Sequence, residues 1–109
     1  MTNNKEAIAL TEAVYYILLS LHQPMHGYGI MQNVENLSNG RVTLAAGTLY
    51  GAINTLLDRR WIKAFPGDIN SRKKEYEITD SGKQAFQEEL FRLKELVENG
   101  NKYIGSGDL

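Results

Sequence analysis

The chain has 109 residues, 42% of them hydrophobic and 23% charged, with a formal net charge of −1 and no cysteine. That suffices for one small domain around one core, and it rules out disulfides, thiol catalysis and cysteine–zinc sites. The longest apolar run, Ala13 to Leu19, falls short of the roughly 20 residues that span a bilayer, and the opening MTNNKEAIAL lacks the layout of a signal peptide, so a cytoplasmic protein without membrane association is expected.

The first helix is expected from Glu6 or Thr11 to His22, after a frayed start over residues 1–5. Val14, Ile17, Leu18 and Leu21 make an i, i+3, i+4, i+7 stripe, while Tyr15, Tyr16 and Leu19 lie off it, so this helix is apolar almost all round and buries more than one side. Pro24 ends it, because proline disfavours helix at the residue before it. A second helix runs from His26 or Gly27 to Leu37, with Ile30, Met31, Val34 and Leu37 as its apolar side. Asn36, Ser38, Asn39 and Gly40 are stop and turn residues. His22 and His26 have the spacing of a metal pair, but the proline between them breaks the shared helical face and no cysteine or paired carboxylate completes a site. No metal and no cofactor is called for.

After an extended link, Arg41 to Leu44, the stretch Ala46 to Trp61 (AGTLYGAINTLLDRRW) forms the third helix. Leu49, Ile53, Leu56 and Leu57 give it one apolar face. The other face carries Gly47, Thr48, Gly51, Asn54, Thr55 and Asp58, small or hydrogen-bonding. Each glycine weakens an isolated helix by about 1 kcal/mol relative to alanine, which suits a face that something approaches closely. Two readings stand: a helix laid into a DNA groove, or an amphipathic helix whose outer face meets only water.

Trp61 to Phe65 then alternates as a strand, and Lys74 to Thr79 alternates again with Tyr76 and Ile78 on one face. Turn residues lie between them (Pro66, Gly67, Asp68, Asn70, Ser71), which makes a β-hairpin. Thr79 or Asp80 caps the last helix, expected to run to Asn99 and stop at Gly100, with a loose tail from Lys102 to Leu109. Phe86, Leu90, Leu93 and Val97 form a heptad seam on it.

Charge is segregated along this order. Between Arg41 and Tyr76 seven basic residues (Arg41, Arg59, Arg60, Lys63, Arg72, Lys73, Lys74) face three acidic ones (Asp58, Asp68, Glu75). Such a stretch either meets an anion or is a solvated surface. Helix, helix, helix, hairpin, helix, with a small polar face on the third helix and cations near the hairpin tip, is the order of a winged helix-turn-helix. Residues 1–80 would be the DNA-binding domain, mainly α with a small β-hairpin, and residues 81–109 a C-terminal dimerisation helix and tail. Thr48, Gly51 and Asn54 suit a major groove, and Arg72, Lys73 and Lys74 suit phosphate. Gly27 and Tyr28 open the second helix, where they offer backbone N–H and phenol contacts to phosphate; Tyr28 reads equally well as a core aromatic.

HGYGI at His26 to Ile30, GTLYGAI at Gly47 to Ile53, WI at Trp61-Ile62 and RKKEYEITDSG at Arg72 to Gly82 together resemble the PadR family of bacterial transcriptional regulators, in register from about Leu10 to Gly82. The single trailing helix fits the short-tailed members. The resemblance implies a third helix in the major groove, a hairpin on the adjacent backbone and a last helix that crosses to a second subunit. Carried over, Thr48, Tyr50, Gly51 and Asn54 stand at DNA with Arg72, Lys73 and Lys74 on the wing. The sequence departs from the family where Arg60 occupies the place of a usual glycine before the first wing strand, and where Glu75 interrupts the basic run.

The seam on the last helix needs something to bury against: the first helix, a partner, or both. Two copies would interlock through Leu10, Val14, Tyr15, Phe86, Leu90, Leu93 and Val97, and a symmetric dimer would present two third helices to a pseudo-palindromic operator with half-sites about 34 Å apart. An intramolecular seam in a monomer is the alternative. Some family members also bind flat apolar or aromatic compounds near the dimer interface; Tyr15, Tyr16, Phe86, Phe91 and Leu93 are the candidates here for an effector, or else plain interface core, and Leu93 stands where drug-binding relatives place an aromatic. The expected function is a DNA-binding transcriptional regulator, a homodimeric repressor by family habit. The rivals are a winged-helix module that binds protein, a winged-helix regulator of another family, against which GTLYGAI argues, and an enzyme, for which no nucleophile, base or metal constellation is present.

Overall fold

A computed structural model of the chain describes residues 9–67 and 73–105. In order, the elements are α1 (Glu12–Ser20), β1 (Met25–His26), α2 (Gly27–Leu37), α3 (Ala46–Asp58), β2 (Ile62–Pro66), β3 (Lys74–Ile78) and α4 (Asp80–Ile104). The three strands form one antiparallel sheet in the order β1-β3-β2.

The core is built from the apolar stripes of the helices. Ile17, Leu18 and Leu21 from α1 and its end, Ile30 and Val34 from α2, and Leu49, Ile53 and Leu56 from α3 are all buried, with Ile62, Tyr76 and Ile78 from the sheet and Phe86 from α4. α1 starts at Thr11, whose side chain accepts from the Val14 amide, and α4 starts at Thr79, whose hydroxyl accepts from the Gly82 amide. The Thr79 hydroxyl also donates to the Arg60 carbonyl at 2.7 Å, and the Thr79 amide donates to the Trp61 carbonyl at 2.9 Å. These bonds fix the root of α4 to the end of α3. Gly82 completes the root: a Cβ there would run into the Trp61 carbonyl and come within 2.7 Å of Ile78 Cγ1, so only glycine lets the two segments approach.

α3 ends at Asp58 rather than Trp61 and Leu37 of α2 is exposed, and three larger features differ from the sequence expectation. The hairpin has a third strand, β1, in which Met25 lies opposite Tyr76 and His26 opposite Glu75. Two residues are too few for a period-2 pattern to register. The last helix does not stop at Gly100: it continues through Lys102 to Ile104 and ends on Gly105, whose φ of 77° gives the left-handed cap. Gly100 faces open space, and one exposed glycine costs a long helix only about 1 kcal/mol, too little to end it. Finally, α1 ends at Ser20 rather than His22, with the Leu21 carbonyl turned to accept from the Ile78 amide at 2.8 Å. No described helix is long and apolar enough to cross a membrane.

Candidate nucleic-acid interface

Leu49, Ile53 and Leu56 hold α3 to the core, so its opposite side is presented outward. Gly47, Thr48, Tyr50, Gly51, Asn54, Thr55 and Asp58 are all exposed there. Thr48, Gly51 and Asn54 step by three and so follow one another along the helix surface. A Cβ at Gly47 or Gly51 would meet nothing within 4 Å, and neither has a positive φ. Nothing in the described chain requires glycine at either place. The helix also begins at Ala45, which offers no side-chain cap, so its first amides have no side-chain acceptor from the capping residue.

Beside α3 lies the start of α2. Tyr28 is 60% exposed, which places it outside the core. Tyr50 is 44% exposed, with its ring laid over Gly27. His26 caps α2 by accepting from the Gly29 amide through Nδ1 at 3.3 Å, and His22 Nδ1 lies 3.0 Å from the Leu18 carbonyl. The two histidines thus do separate local jobs, and among the described residues no three metal-ligating side chains gather.

On the wing, Lys73 and Lys74 are exposed near the loop end of the hairpin, where Lys74 lies opposite Pro66 and the Gly67 amide donates to the Lys73 carbonyl at 3.2 Å. Arg72 lies outside the described residues. Glu75 sits in the central strand between Phe65 and His26. Arg41, Arg59 and Lys63 of the basic stretch also have partners within the chain. Arg41 pairs with Glu12 through both its terminal nitrogens, one of them at 2.9 Å; the hydrogen bond lowers the Glu12 pKa and raises that of Arg41. Arg59 lies 5.0 Å above the Trp61 ring, and Lys63 is 3.9 Å from Glu77.

Arg60 has φ 62°. The Arg60 amide donates to the Leu57 carbonyl and the Trp61 amide to the Leu56 carbonyl, which is the Schellman pattern that closes a helix on a left-handed residue. The backbone therefore keeps the conformation for which glycine is suited, and an arginine occupies it.

The residues expected at a dimer seam divide. Phe86 is 5% exposed and packs within its own chain, 4.7 Å from the Tyr15 ring and 5.2 Å from His22, with Tyr15 also edge-on to Tyr16 at 5.9 Å. Val14, Leu90 and Leu93 are half-buried, and Val97 is 55% exposed. Beyond it Tyr103 and Ile104 are exposed too, as is Leu96 before it. Leu10 is tied down by its amide, which donates to Glu89 Oε2 at 3.1 Å. Glu89 is 4% exposed and also accepts two bonds from Arg92, at 2.7 and 2.8 Å. The Arg92 hydrogen bond holds the Glu89 carboxyl below the usual carboxylate range, against the opposing effect of burial, and the Leu10 amide helps. Sequence reasoning missed Glu89; an acid three residues before an arginine was the available signal.

The five candidate effector residues do not line one cavity within the chain. Phe91 is 73% exposed and borders an open hollow of about 640 Å³ with Trp61, Arg59 and Arg92, whereas Tyr15, Tyr16 and Phe86 are clustered elsewhere. Five residues of helix turn the chain by about 140° beyond a full turn, so Phe86 and Phe91 face apart.

The architecture has known counterparts. A PadR family transcription regulator from Clostridium difficile superposes with a TM-score of 0.74 at 20% identity, over 86% of this chain and 99% of that one. A PadR family regulator from Eggerthella lenta gives 0.70 at 22% identity, over 86% and 82%. In sequence, an uncharacterised protein of Lysinibacillus sphaericus is 31% identical over 85 residues, which are 73% of this chain and 78% of that protein. The profile of the PadR-like family of transcriptional regulators matches residues 16–88. The fold is a winged helix-turn-helix, mainly helical with a small antiparallel sheet, and the chain belongs to the PadR-like family of transcriptional regulators.

Proposed function

We propose that the protein is a sequence-specific DNA-binding repressor that acts in the cytoplasm as a homodimer. The observation that carries this reading is the outward side of α3. It bears two glycines facing open space beside exposed Thr48 and Asn54. Each glycine lowers helix stability by about 1 kcal/mol and gains no contact inside the chain, as expected of a surface that lets a duplex come close. Thr48, Gly51 and Asn54 are the proposed base-edge positions, with Tyr28, Tyr50, Lys73 and Lys74 on the backbone. The dimer reading rests on the exposed apolar side chains along the second half of α4, which a second copy would cover. Leu90, Leu93 and Val97 are its proposed centre. An aromatic effector would enter near this interface, assembled from both copies, because one chain does not gather the candidate residues.

The test is fluorescence anisotropy with the duplex upstream of the protein's own gene and with duplexes selected from a random library, against a scrambled control, at several salt concentrations. The reading predicts tighter binding to a particular sequence and a steep fall with salt. Lys74→Ala should reduce the salt slope by about one. Equal, weak binding to every duplex would favour the protein-binding alternative.

A further inference from the structure

Gly27 is buried, yet its backbone does not call for glycine, because its φ is not positive. What calls for glycine is Tyr50. A Cβ at position 27 would run into the Tyr50 hydroxyl and lie 2.8 Å from Cζ and 3.3 Å from Cε1. The ring of Tyr50 therefore reaches from α3 across to the first residue of α2 and rests on a bare Cα. Leu49 and Ile53, both buried, fix the helix on either side of Tyr50, so the ring can leave this place only by rotating about its own side-chain bonds. Its other side is open to solvent, since Tyr50 is about half exposed. The sheet feels the same placement: burial raises the Tyr76 pKa, and the neighbouring Tyr50 adds to the rise.

We infer that Gly27 is a positioning residue for DNA binding, acting through Tyr50: the missing side chain seats the Tyr50 phenol on the first residue of α2. This rests on the DNA-binding reading above. An added methyl at position 27 swings the half-exposed ring into solvent, at little cost to the fold, because alanine suits the first turn of a helix. The seat for the phenol is lost while α3 and the wing stay in place. Gly27 and Tyr50 thus act as one unit, and their effects on binding are not additive.

The experiment is a double-mutant cycle in the full chain, with Gly27→Ala, Tyr50→Ala and both together. It reads affinity for a duplex selected with the wild type, affinity for a scrambled duplex, and the thermal midpoint. Gly27→Ala is expected to lose about tenfold in affinity for the selected duplex with an unchanged midpoint. Tyr50→Ala should lose at least as much, and the double variant no more than Tyr50→Ala alone. A purely structural role for Gly27 would instead lower the midpoint. Wild-type binding by Gly27→Ala, a full additional loss in the double variant, or unfolding of Gly27→Ala would each overturn the inference while leaving the DNA reading intact. A wild type that selects no duplex overturns both.

Discussion

α3 and α4 solve the same problem on their inner sides and differ on their outer ones. Each fixes itself to the core by buried apolar residues, Leu49, Ile53 and Leu56 on α3 and Phe86 on α4. Outward, α3 shows glycine, threonine and asparagine, whereas α4 past its middle shows Leu96, Val97, Tyr103 and Ile104. An exposed small polar face suits a partner read by hydrogen bonds at close range. An exposed apolar face suits one that removes it from water. On the function proposed above, those partners are a duplex and a second copy of the chain, and the hydrogen bonds of Thr79 to Arg60 and Trp61 join the two helices.

The largest effect is expected where the apolar outer face is attacked. Val97→Asp should raise the dimer dissociation constant roughly a thousandfold, about 4 kcal/mol shared between two symmetric copies, and should leave the thermal midpoint of the monomer nearly unchanged. Sedimentation equilibrium checks the first and calorimetry at low concentration the second. If the variant stays dimeric, α4 is not the interface and the contrast with α3 fails.

A smaller effect belongs to the buried carboxylate of α4, Glu89. Because Glu89 has its folded pKa lowered, its stabilisation is complete above the unfolded value, about 4.3, and is lost as pH falls through the folded value. Glu89→Gln should cost about 1–2 kcal/mol at neutral pH and flatten the acid limb of stability against pH. Denaturant unfolding at pH 3 to 7 reads both. An acid limb identical to the wild type would remove Glu89 from the account.

Smaller again is Arg60→Gly. A left-handed arginine costs about 1–2 kcal/mol, partly offset by the unfolded-state entropy that glycine adds, so the variant should gain roughly 0.5–1 kcal/mol in denaturant unfolding. A loss would mean that the arginine side chain holds the corner.

Much of this was legible in the sequence because periodicity reports burial. The stripes of α1 and α3, Ile30 and Val34 on α2, and the existence of a hairpin follow from spacing alone, whereas the register that sets Ile62 opposite Ile78 and the exposure of Leu37 do not. What was not legible depends on contacts between distant residues. β1 exists because β3 offers it an edge, not because Met25 and His26 read as strand. The stop at Gly105 rather than Gly100 depends on which glycine turns left-handed. The split between Phe86 and Phe91, by contrast, does follow from their five-residue spacing on a helix. At the candidate site, Thr48, Gly51 and Asn54 were readable as an outer face, while the seat of Tyr50 on Gly27 appears only when α2 and α3 are brought together.

The central claim is that α3 keeps a bare outer face for a duplex, and Gly51→Ala tests it most directly. Thermal unfolding and anisotropy on the selected duplex are measured on the same preparation. The account predicts a protein more stable by about 1 kcal/mol that binds the duplex at least tenfold more weakly. A variant that is more stable and binds as tightly as the wild type would contradict it.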